Sequence, residues 1–418
     1  MKVFKFGGAS VKDAEGVKNL VSVLMTTREK DLVIIVSAMG KMTNALEKVV
    51  HEYFNDRTSY KAAQTKVIQF HQEIMKNLFP NQSHPIFRKI ADFFNELTHF
   101  LETNKSTNHA FVYDQVVGYG ELVSTAIISE YLNSENIRNK WLDVRLCIAT
   151  NDYYRDARVD WETTQKHILE KVTPKGLSIT QGFLGAERSN NFTTTLGREG
   201  SDYTAAIFAY CLNADSVTIW KDVPGVLNAD PRHFSNTQLL NHISYREAIE
   251  LAFYGASVIH PKTLQPLQRK EIPLFVKSFV NPTQDGTCVG KGVTLDPMTS
   301  CFILKKNQVL ISLSSLDFSF MMEDNFRDVF NLMHHYKMKV ELIQNSAISF
   351  SVCLDNKYDN LEPLLNKLRS TFKVSFYENV TLYTIRHSQP NEIKALIKNK
   401  TVLLRQESSE TVQLVVQE

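Results

Sequence analysis

The chain has 418 residues, 43% hydrophobic and 22% charged, enough for two or three domains with a substantial core. Its 47 Lys and Arg against 45 Asp and Glu leave a net charge of +2, without the strongly basic face that nucleic-acid or membrane-surface binding needs. No apolar run approaches the ~20 residues that span a bilayer. The five cysteines are scattered with no C-x-x-C spacing, so free thiols in a reducing compartment are expected, and neither a disulfide frame nor a zinc site. The histidines form no H-E-x-x-H pattern, and adjacent His334-His335 would not share a helix face. No metal site is assigned. The first residues are strand-like rather than signal-like, which makes the cytoplasm the expected location.

A strand at residues 3–6 runs into Lys5-Phe6-Gly7-Gly8-Ala9-Ser10 and then a helix at 14–26. Two glycines let backbone approach phosphate oxygens, and a lysine leaving the strand supplies a mobile cation. The same stretch is equally a tight turn with an exposed lysine. A continuous apolar strand at 32–37 follows, typical of a buried parallel strand. The next loop, Ser37-Ala38-Met39-Gly40-Lys41-Met42-Thr43, is polar, and Thr43 or Asn44 could cap the following helix. A long helical region is expected over 43–101. Glu121, in Gly118-Tyr119-Gly120-Glu121, falls in the first turn of a helix at 122–132, where the macrodipole favours an acid.

Further strands are expected at 141–147, 177–181, 192–196, 216–220 and 274–278, with helices at 202–212 and 245–254. This alternation predicts a mostly parallel sheet with helices on both faces. Thr194-Thr195-Leu196-Gly197-Arg198-Glu199-Gly200-Ser201-Asp202 is the densest stretch, placing glycines, hydroxyls, a guanidinium and carboxylates just before a helix whose N–H groups favour an anion. Asp202 or Ser201 could instead be the cap of that helix. Trp220-Lys221-Asp222-Val223-Pro224-Gly225 and Asp230-Pro231-Arg232 mark a strand end and two turns. His260, ahead of Pro261, is expected to be a structural hydrogen-bonder rather than a base. Neither G-x-x-x-x-G-K-[ST] nor G-x-G-x-x-G occurs, so any nucleotide is held without a P-loop or Rossmann fingerprint.

Past about residue 295 the pattern changes to strands at 309–314, 340–344 and 348–354, helices at 326–337 and 361–372, and a βαββ stretch over 381–416. That order predicts small βαββαβ units. The expected division is 1–295, 296–378 and 379–418, the last unit apparently incomplete.

The ordered set of motifs resembles the aspartate kinases of the amino acid kinase family. Residues 194–202 are similar to their TTLGRGGSD signature, with Glu199 at a glycine position. The opening resembles KFGGTS, with Ala9 for threonine. Gly120-Glu121 with Ser124-Thr125 resembles GE-x-x-S-T, and Gln181-Gly182-Phe183 resembles QGF. The run from Trp220 to Arg232 resembles W-T-D-V-P-G…DPR, with Lys221 for threonine. Phe253–Thr263 resembles FGA-K-V-x-HP-x-T, with Ser257 for lysine, and Gly286-Thr287 the closing G-T. The C-terminal third resembles paired ACT domains, although the loop ahead of the helix at 326–337 lacks its usual glycine.

The resemblance implies an amino acid kinase sandwich and a monofunctional enzyme that uses ATP and Mg2+ to phosphorylate L-aspartate. It implies Lys5 and Asp202 as catalytic. Ser37, Thr43, Glu121, Phe183, Arg198 and Ser201 would bind the amino acid, Glu121 on the α-ammonium and Arg198 on the α-carboxylate. Lys5, Gly7, Gly8, Lys221, Asp222, Arg232, Ser257 and Lys262 would bind the nucleotide, with Lys221 or Lys262 replacing the lysine absent at Ser257. It further implies a homodimer through the ACT-like region and a lysine or threonine effector. Glutamate or acetylglutamate kinase is a rival within the superfamily. A catalytically weak amino-acid sensor is the rival from another class, kept open by Ala9, Glu199 and Ser257.

Overall fold

The computed structural model describes every residue except Arg57, Thr58, Ser257, Val258, Phe318 and Glu418. The chain divides into two compact units. The first comprises Met1–Val226, Leu239–Ile249 and the stretch ending at Asp296; the second runs from Pro297 and takes in Leu227–Gln238 and a segment starting at Glu250.

The first unit is built on an eight-stranded sheet. Its order from edge to edge is Asn139–Leu142, Leu177–Gln181, Leu32–Val36, Lys2–Phe6, Ser216–Lys221, Leu274–Ser278, Thr287–Gly290, His242–Ser244. Six strands run parallel, and Leu274–Ser278 then meets Thr287–Gly290 antiparallel. Leu32–Val36 is buried on both faces, as its unbroken Leu-Val-Ile-Ile-Val requires. The register matters most for function. Phe6 lies beside both Val36 and Trp220, so three central strands end flush, and Val36 also pairs with Gln181. The segments that follow those ends therefore emerge at one sheet edge, where open α/β sheets place their ligands.

The helical region expected over 43–101 consists of three helices, Met42–Asn55, Tyr60–Leu78 and Pro85–Thr103. Pro85 opens the last of them, since a proline lacks the N–H that an earlier turn would need. Their apolar faces share one core with Phe4, Phe6, Ile34 and Trp220. A smaller three-stranded sheet, Ala149–Thr150, Leu184–Glu187 and Thr193–Thr195, carries the signature stretch to its turn. Among the described residues no helix is long and apolar enough to cross a membrane, and the five cysteines form no disulfide.

The second unit is a single six-stranded antiparallel sheet ordered Lys339–Asn345, Ser349–Asp355, Cys301–Ser314, Lys373–Arg386, Thr411–Gln417, Thr401–Glu407. Helices Glu323–His335 and Leu361–Leu368 pack on one half, and helix Pro390–Leu396 on the other. The halves do not follow one another as separate units. Cys301–Ser314 and Lys373–Arg386 run through both, so a division at 378/379 falls inside a strand. The pairing slips between Lys305 and Gln308, where Asn307 and Asn379 take left-handed backbone with φ of 56° and 55°. That irregularity bends two continuous strands in place of a domain boundary.

Candidate functional site

Lys5 is the penultimate residue of the strand Lys2–Phe6, two positions before Gly7. Its ammonium lies 2.6 Å from Oδ1 of Asp202, while Lys221, from the end of the neighbouring strand, approaches Oδ2 at 3.7 Å. Asp202 is buried. Burial alone would raise its carboxyl, but the two ammoniums outweigh it and hold the group below the usual carboxylate range. The result is an ionised acid clamped between two cations. Helix Gly200–Leu212 begins at Gly200 with Glu199 as its cap residue, so neither Asp202 nor Ser201 is the cap. Asp202 sits in the first turn, its side chain turned to the lysines.

The turn after Lys5 is seated on the loop at 37–43. The Gly40 N–H donates to the Gly8 carbonyl at 3.0 Å, and a side chain at Gly8 would place its Cβ 2.7 Å from the carbonyl oxygens of both Ala38 and Gly40. Helix Met42–Asn55 starts after Lys41 with no side-chain cap, which leaves Thr43 available to face the site. Helix Tyr119–Ser134 locks the same loop from the other side. Ser124 donates to the Ser37 carbonyl at 2.8 Å, and the Ala38 N–H donates to Oε1 of Glu121 at 3.2 Å. Oε2 of Glu121 is buried and has no hydrogen-bond partner. Burial pushes this carboxyl up to about 8, against the opposing pull of the Ala38 amide and of Lys5.

These groups meet in one cavity of about 470 Å³. Of the residues expected from sequence, Lys5, Ser37, Thr43, Glu121, Phe183, Arg198, Ser201, Asp202 and Lys221 all line it. Gly7 and Gly8 form the turn beneath, with a Cβ at Gly7 only 3.4 Å from the Lys5 ammonium. Lys262 is engaged elsewhere, on the Asp156 carboxylate, and Asp222 is exposed outside the lining. Arg232 belongs to the second unit and makes a bidentate pair with Asp230, drawing that carboxyl down to about 2. Ser257 lies outside the described residues. His260 accepts from the Lys262 N–H at 3.2 Å and caps helix Pro261–Lys270, in keeping with a structural role.

Tyr113 and Arg155 also line the cavity and were not expected. Their positions come from Asp114, a fully buried acid that accepts from the backbone N–H of Arg155 at 3.0 Å and of Thr195 at 2.8 Å, and from the Thr195 hydroxyl at 2.8 Å. Burial raises the Asp114 carboxyl to about 6 despite those bonds. Glu199, the acid at a glycine position, faces the cavity with φ 53° and one buried oxygen that has no hydrogen-bond partner.

The fit to a nucleoside triphosphate rests on the two lysines and the glycine turn beside them. Among the described residues no three His, Cys, Asp or Glu are grouped to hold a metal, and Asp202 is already engaged by cations. A divalent ion would therefore ride on the phosphates of the nucleotide, as Mg2+ commonly does. A buried acid held by two cations, a glycine turn, and an unsatisfied carboxyl and a guanidinium on the same cavity wall are the equipment of a small-molecule phosphotransferase.

Comparison with known proteins narrows that class. Residues 1–278 match the model of the amino acid kinase family. The chain is 33% identical over 396 residues to lysine-sensitive aspartokinase 3 of Escherichia coli (strain K12), covering 92% of this chain and 86% of that protein. It is 28% identical over 385 residues to the chloroplastic bifunctional aspartokinase/homoserine dehydrogenase 1 of Arabidopsis thaliana, covering 89% of this chain and 42% of that protein. The structure of E. coli aspartokinase III with lysine and aspartate, in the T-state, superposes with a TM-score of 0.85 at 29% identity, covering 99% of this chain and 95% of that one. The same enzyme with aspartate and ADP, in the R-state, gives 0.80 at 30% identity, covering 100% and 96%. The chain belongs to the amino acid kinase family, among its aspartokinases.

Proposed function

We propose that the protein transfers the γ-phosphoryl group of ATP to the side-chain carboxylate of L-aspartate, giving ADP and 4-phospho-L-aspartate. A carboxylate oxygen attacks phosphorus, the bond to the β-phosphate oxygen breaks, and ADP leaves with that electron pair. The attacking carboxylate is already ionised, so the step needs no general base, in agreement with Asp202 being committed to two lysines. Lys5 lies where charge builds on the transferring group, and Asp202 holds Lys5 and Lys221 in place before substrate arrives. Glu121 receives the α-ammonium and Arg198 the α-carboxylate, with Ser37, Thr43, Phe183 and Ser201 closing the acceptor end. Gly7, Gly8 and Lys221 cradle the phosphates, and Asp222 is a further nucleotide contact on this reading. Mg2+, when bound to the nucleotide, neutralises phosphate charge and draws off electron density from phosphorus.

The observation that carries this reading is the pairing, in one cavity, of the Lys5–Asp202–Lys221 cluster with the unsatisfied oxygen of Glu121. The reaction would open the route to lysine, threonine and methionine, in the cytoplasm where ATP and free aspartate are held. The relative solved with lysine and aspartate supports an amino-acid effector; lysine or threonine is the proposed ligand, and a homodimer joined through the ACT-like sheet the proposed assembly. The test is to trap product with hydroxylamine and read the iron–hydroxamate colour, with L-aspartate, L-glutamate and acetylglutamate in parallel. Colour with aspartate alone is expected. Colour with glutamate or acetylglutamate instead would reassign the acceptor. No colour with any, together with no nucleotide protection in a thermal melt, would favour an amino-acid sensor, with Glu199 the first residue to examine.

A further inference from the structure

The cavity contains a guanidinium to which the acceptor assignment gives no role. Arg155 lines it with a left-handed backbone, φ 72°, as do Phe183 at 72° and Glu199 at 53°. Side chains are held in that region only where their surroundings leave no alternative, and such positions cluster at ligand clamps. For Arg155 the surroundings are specific. Asp114 accepts its backbone N–H through both oxygens, at 3.0 and 3.2 Å. Two residues on, the Ala157 N–H donates to the Thr195 carbonyl at 2.9 Å. Gly197, at φ 78°, packs so closely that a Cβ there would lie 3.3 Å from the Arg155 carbonyl. The backbone of Arg155 is thus fastened to the strand end that carries Arg198. Its guanidinium lies over the Tyr113 ring, 4.1 Å from the centroid, and 3.4 Å from Glu47. Both members of that ion pair are about half exposed, so it orients the guanidinium without holding it strongly.

We propose that Arg155 is a second guanidinium of the acceptor subsite, binding the α-carboxylate together with Arg198 while Glu121 holds the α-ammonium. The inference rests on the aspartate kinase reading. The other carboxylate of the acceptor must remain free to attack phosphorus near Lys5, and a guanidinium clamped on it would blunt its nucleophilicity. The α-carboxylate undergoes no chemistry, so two planar forks can share it at no cost to reactivity.

The experiment compares the native protein with Arg155→Gly and Arg155→Lys, using L-aspartate and its α-amide, isoasparagine, as substrate or, where it is not turned over, as competitive inhibitor. Glycine suits φ 72°, so the first variant keeps the fold. Loss of one such contact predicts that Arg155→Gly raises KM for aspartate about tenfold. Turnover and KM for ATP should stay within about threefold, Arg155→Lys should fall between, and the constant for isoasparagine should be unchanged. A KM for aspartate within about twofold of native, or an equal rise for aspartate and isoasparagine, would overturn the proposal. Native protein inactive with aspartate would bring down the kinase reading and this inference together; active native protein with an unmoved Arg155→Gly would bring down this inference alone.

Discussion

On the proposed mechanism, Asp202 serves the reaction as a buried charge and takes no part in proton transfer. Its two lysines hold it ionised, and it in turn keeps their ammoniums together where they would otherwise repel. Asp202→Ala should therefore lower turnover by roughly two to three orders of magnitude, the scale of losing a preorganised electrostatic group, with a smaller effect on KM for aspartate. Near-normal turnover in initial-rate assays would remove Asp202 from the mechanism. Glu199 acts in the opposite sense. It places a carboxylate on the lining of the proposed phosphate site and holds it on left-handed backbone. Glu199→Gly relieves both features, so KM for ATP is expected to fall severalfold with little change in melting temperature; an unchanged or higher KM would mean that the acid is accommodated. At this scale the sequence was informative where chemistry is written in residue type, as for Lys5, Glu121, Arg198 and Asp202. Tyr113 and Arg155 carry no such mark. Their place in the site is set by the buried Asp114 and by a backbone angle, neither of which a linear pattern displays.

The elements explain why those side chains converge. Three central strands end flush, so the Gly7-Gly8 turn, the loop at 37–43 and Lys221 share an edge without any of them being adjacent in sequence. The contact between the first two is a backbone contact, and it tolerates no side chain. Gly8→Ala would set a Cβ 2.7 Å from two carbonyl oxygens. Because neither backbone can yield easily, the turn should lift away, costing about 1–3 kcal/mol of stability. Turnover should fall far more than the melting temperature suggests, which paired melts and initial rates would reveal; loss of both in proportion would reduce Gly8 to a packing residue. The parallel strand Leu32–Val36 was legible because both faces are buried and its apolar run is unbroken. The strand Cys301–Ser314 was expected only from residue 309. Its first half ends in Lys305-Lys306-Asn307, which reads as a loop, and it is held by pairing with Leu382–Arg386 partners some eighty positions away. Local pattern does not carry that information.

Across the whole molecule, three buried titratable groups in the first unit give folding a pH dependence that doubles as a test of the acceptor site. His71 is fully buried and held neutral, its pKa lowered by burial to about 4, so the unfolded chain binds the extra proton and stability rises with pH from there to its ordinary 6.5. Asp114 works the other way. Its carboxyl is raised from 3.8 to about 6, so the native state binds the extra proton and stability falls as pH rises across that range. The two nearly offset each other in acid. Glu121, raised from 4.5 to about 8, keeps losing stability as pH rises toward 8, after the others have finished titrating. Between pH 6.5 and 8 this leaves a decline on the order of 2 kcal/mol. Glu121→Gln has no proton to lose and should melt at a nearly constant temperature over the same range. L-Aspartate should suppress the decline in the native protein, because its α-ammonium compensates the carboxylate just as it ionises, and the ligand should accordingly bind more tightly as pH rises through 8. Thermal melts from pH 6 to 9, with and without aspartate, separate the alternatives. A decline that persists in Glu121→Gln would place its origin elsewhere, and a decline that aspartate leaves untouched would show that Glu121 does not meet the ammonium.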